Sequence, residues 1–170
     1  MKGYPIFLKL EGKRCLVYGG GEVAARKIEA LLKRGARVTC QSFDFSTRLK
    51  NLAKKNRSQL ILKRSRGIQI DRAELVIAAT SDRAFNARVA EAYRRKKIWV
   101  NAVDDPRHCD FYAAAIVERG PLQVAISTDG TSPLFAKRLR EELEKAIPPS
   151  VGRLLEKLGR IREKKLRSSR

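Results

Sequence analysis

The stretch VYGGGEVAARK, residues 17–27, constrains the fold of this chain more than any other. Its three glycines follow a short apolar run, RCLVY (14–18). They open EVAARKIEALLKRG (22–35), in which Val23, Ile28, Leu31 and Leu32 share one helical face and Gly35 closes the helix. Gly19, Gly21 and Ala24 have the G-x-G-x-x-[G/A] spacing in the strand-to-helix context that gives it meaning. Gly19 suits a tight turn, Gly21 lets the backbone approach a pyrophosphate, and Ala24 permits close packing of helix on strand. Free N–H groups at the helix start, near Glu22 and Val23, would face the phosphates. The spacing predicts a dinucleotide-binding turn, with Gly20 inside it.

The rest of the N-terminal two thirds keeps the same rhythm. ARVTCQ (36–41), QLILKR (59–64), ELVIAAT (74–80) and IWVNAV (98–103) read as strands. FSTRLKNLAKKN (45–56), with Ser46 or Thr47 near its cap, and DRAFNARVAEAYRRKK (82–97) read as helices. This alternation predicts an α/β fold with a Rossmann-like, doubly wound parallel sheet. About 20 residues past the glycines, such sheets place a carboxylate on the NAD ribose. Here the region is Gln41-Ser42-Phe43-Asp44, and Gln41, Ser42 or Asp44 is the candidate, with NAD favoured over NADP. From Phe111 the rhythm changes. YAAAIVERGPLQVAIST (112–128) suggests a hairpin turning at Gly120-Pro121. Ser132-Pro133 opens a helix that stops before Pro148-Pro149. In the final helix Val151, Leu154, Leu155, Leu158 and Ile161 form an apolar stripe opposite a basic face. That stripe suits packing against the body or a partner subunit better than a membrane surface, being short and without aromatics. The expected domains are 1–111, which binds the dinucleotide, 112–149, a small α+β dimerisation and substrate-cleft region, and 150–170, a short basic C-terminal helix.

Composition narrows the rest. With 170 residues, 43% of them hydrophobic, the chain can bury an ordinary core. The N-terminus shows no secretory signal, and no apolar run approaches the ~20 residues of a membrane span, so a cytoplasmic protein is expected. Cys15, Cys40 and Cys109 are too few and too scattered for a disulfide framework or zinc module. The net charge of +20 is spread along the chain, because residues 151–170 hold only eight basic and two acidic residues. Such a field attracts polyanions, whether nucleic acid, a membrane surface or a small polycarboxylate. No nucleic-acid-binding signature accompanies it.

NAVDDPRHCDF (101–111) runs from the last parallel strand into a loop. It carries Asp104, Asp105 and Asp110, the chain's one histidine, His108, and Cys109. Asp104 sits just past a strand's carboxyl end, where open α/β sheets bind ligands. A carboxylate there suits proton transfer, or else caps the turn before Pro106. Asp105 reads as the turn residue and Asp110 as polar surface. His108 and Cys109 are adjacent and rarely both point at one ion, so no resident metal is expected.

Four segments in this order, YPIFLKLEGKRCLVYGGGEVAARK, LVIAATSD, NAVDDPRHCDF and AISTDGTSPLFAKRLREELE, closely resemble the precorrin-2 dehydrogenase/sirohydrochlorin ferrochelatase family, the N-terminal module of siroheme synthase. The likeness covers residues 4–149. It implies NAD-dependent oxidation of precorrin-2 to sirohydrochlorin in siroheme and porphyrin biosynthesis. In many members Fe²⁺ insertion by the same site follows. It also implies an intertwined homodimer, and Asp104 as the catalytic carboxylate. It places cofactor contacts at Glu22, Val23, Phe43 and Asp44, and Gly19, Gly20 and Gly21 of the turn, with Thr80 and Asn101 at strand ends, are expected beside them. Contacts to the polycarboxylate tetrapyrrole are expected at Arg107, His108, Thr128 and Ser132, within basic walls drawn from Arg107, Arg119, Lys137, Arg138 and Arg140. The family's Ser-Gly-Gly-x-Ser-Pro turn appears here as Thr128-Asp129-Gly130-Thr131-Ser132-Pro133. The methyltransferase half of fused siroheme synthases is absent and the following helical domain is cut to about one helix, which implies a stand-alone enzyme. The alternatives are a dehydrogenase without chelatase activity and a nucleic-acid-binding protein on the same scaffold.

Overall fold

The computed structural model describes residues 3–168. Residues 3–111 form one compact unit and residues 112–168 belong to another. In the first, the elements run β1 (Arg14–Tyr18), α1 (Glu22–Leu32), β2 (Arg37–Ser42), α2 (Thr47–Lys55), β3 (Leu60–Arg64), β4 (Leu75–Ala78), α3 (Arg83–Arg94) and β5 (Trp99–Ala102). The five strands pair in parallel in the order β3-β2-β1-β4-β5. The chain therefore winds outward from β1 to β3, then crosses back to wind the other way from β4. That reversal opens a crevice at the carboxyl ends of β1 and β4.

The pleat of β1 explains how both sheet faces are covered. Alternate residues of a strand point to opposite faces. Cys15 and Val17 join Ala24, Ala25, Ile28, Leu31, Val38, Cys40 and Leu49 in one core, beneath α1 and α2. Leu16 and Tyr18 join Val89, Ala90, Tyr93 and Val100 in the other, beneath α3. Every residue of β4 is buried, as a strand covered on both sides requires. The Tyr18 and Tyr93 hydroxyls lie 3.1 Å apart, and that of Tyr18 donates to Gln69 O at 2.8 Å. This is how two buried phenols are satisfied.

Helix limits are tighter than the periodicity predicts, because polar residues at the expected edges serve as caps. Ser46 accepts from Leu49 N at 3.3 Å, so α2 starts after it. Asp82 accepts from Phe85 N at 2.9 Å and sets the start of α3. The α3 segment stops at Arg94, short of the predicted Lys97, which has left-handed backbone with φ 57°.

In the second unit β6 (Ala115–Arg119) and β7 (Leu122–Ile126) form an antiparallel hairpin, with Gly120 at φ +56° in the turn. Ser132 caps α4 (Pro133–Ala146) by accepting from Phe135 N at 3.2 Å. α5 (Ser150–Ser168) packs on the hairpin through Gly152, where an added Cβ would stand 2.8 Å from Arg119 O. Arg119, expected in a substrate wall, is instead structural. Its guanidinium donates to Ile147 O (2.7 Å) and Glu144 O (2.6 Å) at the carboxyl end of α4, where a cation offsets the helix dipole. Arg140 is likewise engaged, with Glu144 at 2.6 Å and Glu141 at 3.3 Å. Among the described residues no helix is long and apolar enough to cross a membrane.

The glycine turn is closely packed on one side and open on the other. A Cβ at Gly20 would collide with Asp44 O and lie 2.7 Å from Ser42 Oγ, whereas one at Gly21 meets nothing within 4 Å. Gly20→Ala is expected to cost about 1–3 kcal/mol by overpacking. Gly21→Ala, at an ordinary φ of −89°, should cost under about 1 kcal/mol. Urea unfolding of the two variants measures the difference.

Candidate active site

The site begins where β1 ends. Gly19, at φ 122°, accepts the Cys40 thiol on its carbonyl (3.2 Å), and its N–H donates to Gln41 O (2.9 Å). A Cβ there would collide with Ala79 O at the end of β4. Gly20 O accepts from Ser46 N at 2.8 Å, which ties the turn to the start of α2. Gly21 caps α1 without any side-chain hydrogen bond. Gly21 thus supplies no side-chain cap to the first-turn amides around Glu22 and Val23, and the space over Gly21 is open among the described residues. These are the features a pyrophosphate needs: uncovered donors, a positive helix end and room for backbone approach. The residues present fit a dinucleotide.

The three residues read as candidate ribose contacts stand in different settings. Gln41 is buried, and its Nε2 donates inward to Asp71 Oδ2 (2.8 Å) and Gln69 O (3.0 Å). Ser42 stands under Gly20. Asp44 remains exposed, with Oδ1 accepting from Phe45 N at 2.8 Å and lying 3.9 Å from Lys50 Nζ. Phe43 is half exposed, with the guanidiniums of Arg64 and Arg66 over its ring.

At the end of β4, Thr80 is held by Asn86, a buried residue of α3 that the sequence reading passed over. Thr80 Oγ1 donates to Asn86 Oδ1 (2.7 Å), and Asn86 Nδ2 donates to Thr80 O (3.0 Å). Asn101 of β5, expected to touch cofactor, is committed to its own loop. It is buried, and its Nδ2 donates to Phe111 O (2.9 Å) and Cys109 Sγ (3.3 Å).

The 101–111 loop is anchored at several points around an exposed Asp104. Asp110, read as plain surface, in fact accepts from Val100 N (2.9 Å) and Arg94 Nε (2.8 Å), pinning the loop to β5 and α3. Asp105 caps the short 3-10 turn Pro106–His108 and takes His108 Nδ1 at 2.6 Å. The imidazole beside Asp105 holds its carboxyl below the usual range. Cys109 donates to Ala102 O at 3.1 Å, and burial pushes its thiol up. Burial also pushes Cys15 and Cys40 up to about 12, so both remain thiols. Asp104 has φ 60°, a left-handed backbone that few non-glycine residues adopt and that clusters at functional sites.

Lys27 of α1 is the residue that periodicity could not have singled out. Burial lowers its pKa, with Arg26 adding to the effect and the nearby Cys109 and Asp104 opposing it. Lys27 and Asp104 therefore lie close enough to interact electrostatically. Arg107 is exposed on the same loop as His108. In the other unit, Thr128 Oγ1 accepts from Ser132 N (3.1 Å) and Ser132 Oγ accepts from Phe135 N, so both hydroxyls have local roles at the start of α4. Asp129 has φ 51°, the conformation a glycine adopts without cost. Among the described residues no three His, Cys, Asp or Glu side chains group as metal ligands.

Comparison with known proteins agrees with this geometry. The NAD(P)-binding family model NAD_binding_7 matches residues 6–115, and the model for the sirohaem biosynthesis protein central region matches 119–146. The solved structure of SirC, a precorrin-2 dehydrogenase, superposes with a TM-score of 0.75 at 31% identity, over 91% of this chain and 76% of that one. The chain belongs to the precorrin-2 dehydrogenase family. Siroheme synthases of Neisseria meningitidis (42% identical over 163 residues) and Methylococcus capsulatus (44% over 160) match 96% and 94% of the chain. In both cases the chain spans 34% of the relative's length.

The Asp105–His108 contact has a pH signature. A carboxyl lowered in the folded state stabilises above its unfolded pKa of about 3.9 and loses that contribution as pH falls through the lower folded value. Asp105→Asn lacks this component. Its melting temperature should therefore lie closer to that of the native chain near pH 2 than at pH 7, as calorimetry at a series of pH values will record.

Proposed function

We propose that the chain is an NAD-dependent dehydrogenase that oxidises precorrin-2 to sirohydrochlorin. The observation that carries this reading is the pairing of an uncovered glycine turn at the end of β1 with an exposed carboxylate, Asp104, just beyond β5. Gly19–Val23 would hold the pyrophosphate, with Thr80 bordering the crevice. NAD, when bound, supplies the acceptor for a hydride. The macrocycle loses that hydride and one proton. Asp104 takes the proton, or stabilises the positive charge that develops on a pyrrole nitrogen. Arg107 and His108 on the loop, and Thr128 and Ser132 at the start of α4, are the proposed contacts for peripheral carboxylates of the substrate.

Insertion of Fe²⁺ into sirohydrochlorin displaces two pyrrole protons, a task the same carboxylate can assist. The iron is substrate here and needs no permanent ligand set. We infer a homodimer as the working form. Leu134, Phe135 and Leu139 on α4, and Leu154, Leu158 and Ile161 on α5, are large apolar side chains left exposed in the single chain. A cytoplasmic setting agrees with three free thiols.

The test uses Asp104→Asn, because Asn tolerates left-handed backbone and keeps the side-chain shape while losing the base. Anaerobic precorrin-2 oxidation, followed by absorbance, should slow by about 100-fold or more. The Kd for NAD should change by less than about threefold, since the carboxylate acts on substrate. Full activity in this variant would contradict the role given to Asp104.

A further inference from the structure

A depression of ≈ 350 Å³ at the carboxyl edge of β2 and β3 is lined by Phe43, Arg64, Ser65 and Arg66. It lies where Rossmann sheets read the adenosine ribose, just past the second strand. An NAD-selective site has a carboxylate there to take both ribose hydroxyls and repel a phosphate. Gln41 is turned inward, Ser42 lies against the glycine turn, and Asp44 has one oxygen engaged by Phe45 N and Lys50 nearby. The neighbouring strand brings cations instead. Ser42 and Arg64 are register partners, and Ser65 N donates to Ser42 O at 2.9 Å.

The two arginines are held in place and left without counter-charge. Arg64 Nε donates to Phe43 O at 2.8 Å, which leaves its two terminal nitrogens for a ligand. The Arg64 and Arg66 guanidinium carbons lie 4.9 and 4.6 Å from the Phe43 ring centre, so one aromatic ring contacts both. Neither forms a salt bridge among the described residues, although Arg14, Arg48 and Arg94 of the same unit do. Two forked guanidiniums beside a small depression suit a phosphate dianion, which each can bind in bidentate fashion.

We propose that Arg64 and Arg66 form a site for the 2′-phosphate of adenosine, and that the chain therefore takes NADP at least as well as NAD. This rests on the dinucleotide reading above and concerns only the adenosine half of the cofactor.

The test is calorimetric binding of adenosine 2′,5′-bisphosphate and of 5′-AMP to the full chain at low salt, with NAD and NADP in parallel. The bisphosphate should bind at least tenfold more tightly than 5′-AMP, and NADP at least as tightly as NAD. Arg66→Gln, and Arg64→Ala with Arg66→Ala, should collapse the bisphosphate advantage toward one. The single variant spares the Arg64–Phe43 contact, should that contact matter for folding. A charge-matched control, Lys54→Ala with Lys55→Ala on α2, should retain the advantage. Equal affinities for bisphosphate and 5′-AMP, with NAD still bound, overturn this proposal and leave the dehydrogenase reading standing. An advantage that survives in both arginine variants overturns the assignment to this pair. If neither dinucleotide binds, both readings fall.

Discussion

Everything at the proposed site depends on two residues having no Cβ. The end of β1 must pass between the carbonyl of Ala79 and that of Asp44, and there is no room on either side for even a methyl group. Close passage holds the glycine turn against the ends of β4 and β2 at once. It also leaves Gly21, the next residue, over open space with α1 beginning behind it. In the proposed function this turn holds the pyrophosphate, and a turn already fixed by its neighbours leaves little of the chain to be ordered on binding.

The second constraint is the anchorage of the loop after β5. An exposed loop with three aspartates would ordinarily be loose. Here Asp110 bonds to β5 and α3, Asp105 caps the 3-10 turn and holds His108, and Asn101 ties back to Phe111. Asp104 is therefore the one aspartate of the cluster that remains exposed without a hydrogen bond or ion pair of its own among the described residues. Its neighbours define its position, and Lys27 supplies part of its electrostatic setting. Asp110, Asp105, His108 and Asn101 build the frame, and Asp104 stands exposed upon it.

Much of the fold was legible in the sequence. Alternating apolar runs and amphipathic segments report parallel strands and helices directly, and the glycine spacing reports the turn. The cap residues Ser46, Asp82 and Ser132 were readable in kind, though Asp82 fell inside a predicted helix. The partners of polar side chains were not readable. Nothing local tells that Gln41 turns inward to Asp71, that Asn86 holds Thr80, or that Arg119 serves the end of α4. Those contacts join residues far apart in sequence, and periodicity carries no information about them. The same limit hid the arginines beside Phe43, which register between β2 and β3 brings there.

The central claim is that a dinucleotide seated on the glycine turn presents its nicotinamide to Asp104. A crystal structure of the full chain with NAD tests it most directly. The account predicts the pyrophosphate against the amides of Gly21–Val23 and the nicotinamide ring within a few ångströms of the Asp104 carboxylate. A nicotinamide lying at the opposite edge of the sheet, away from the 101–111 loop, would contradict it.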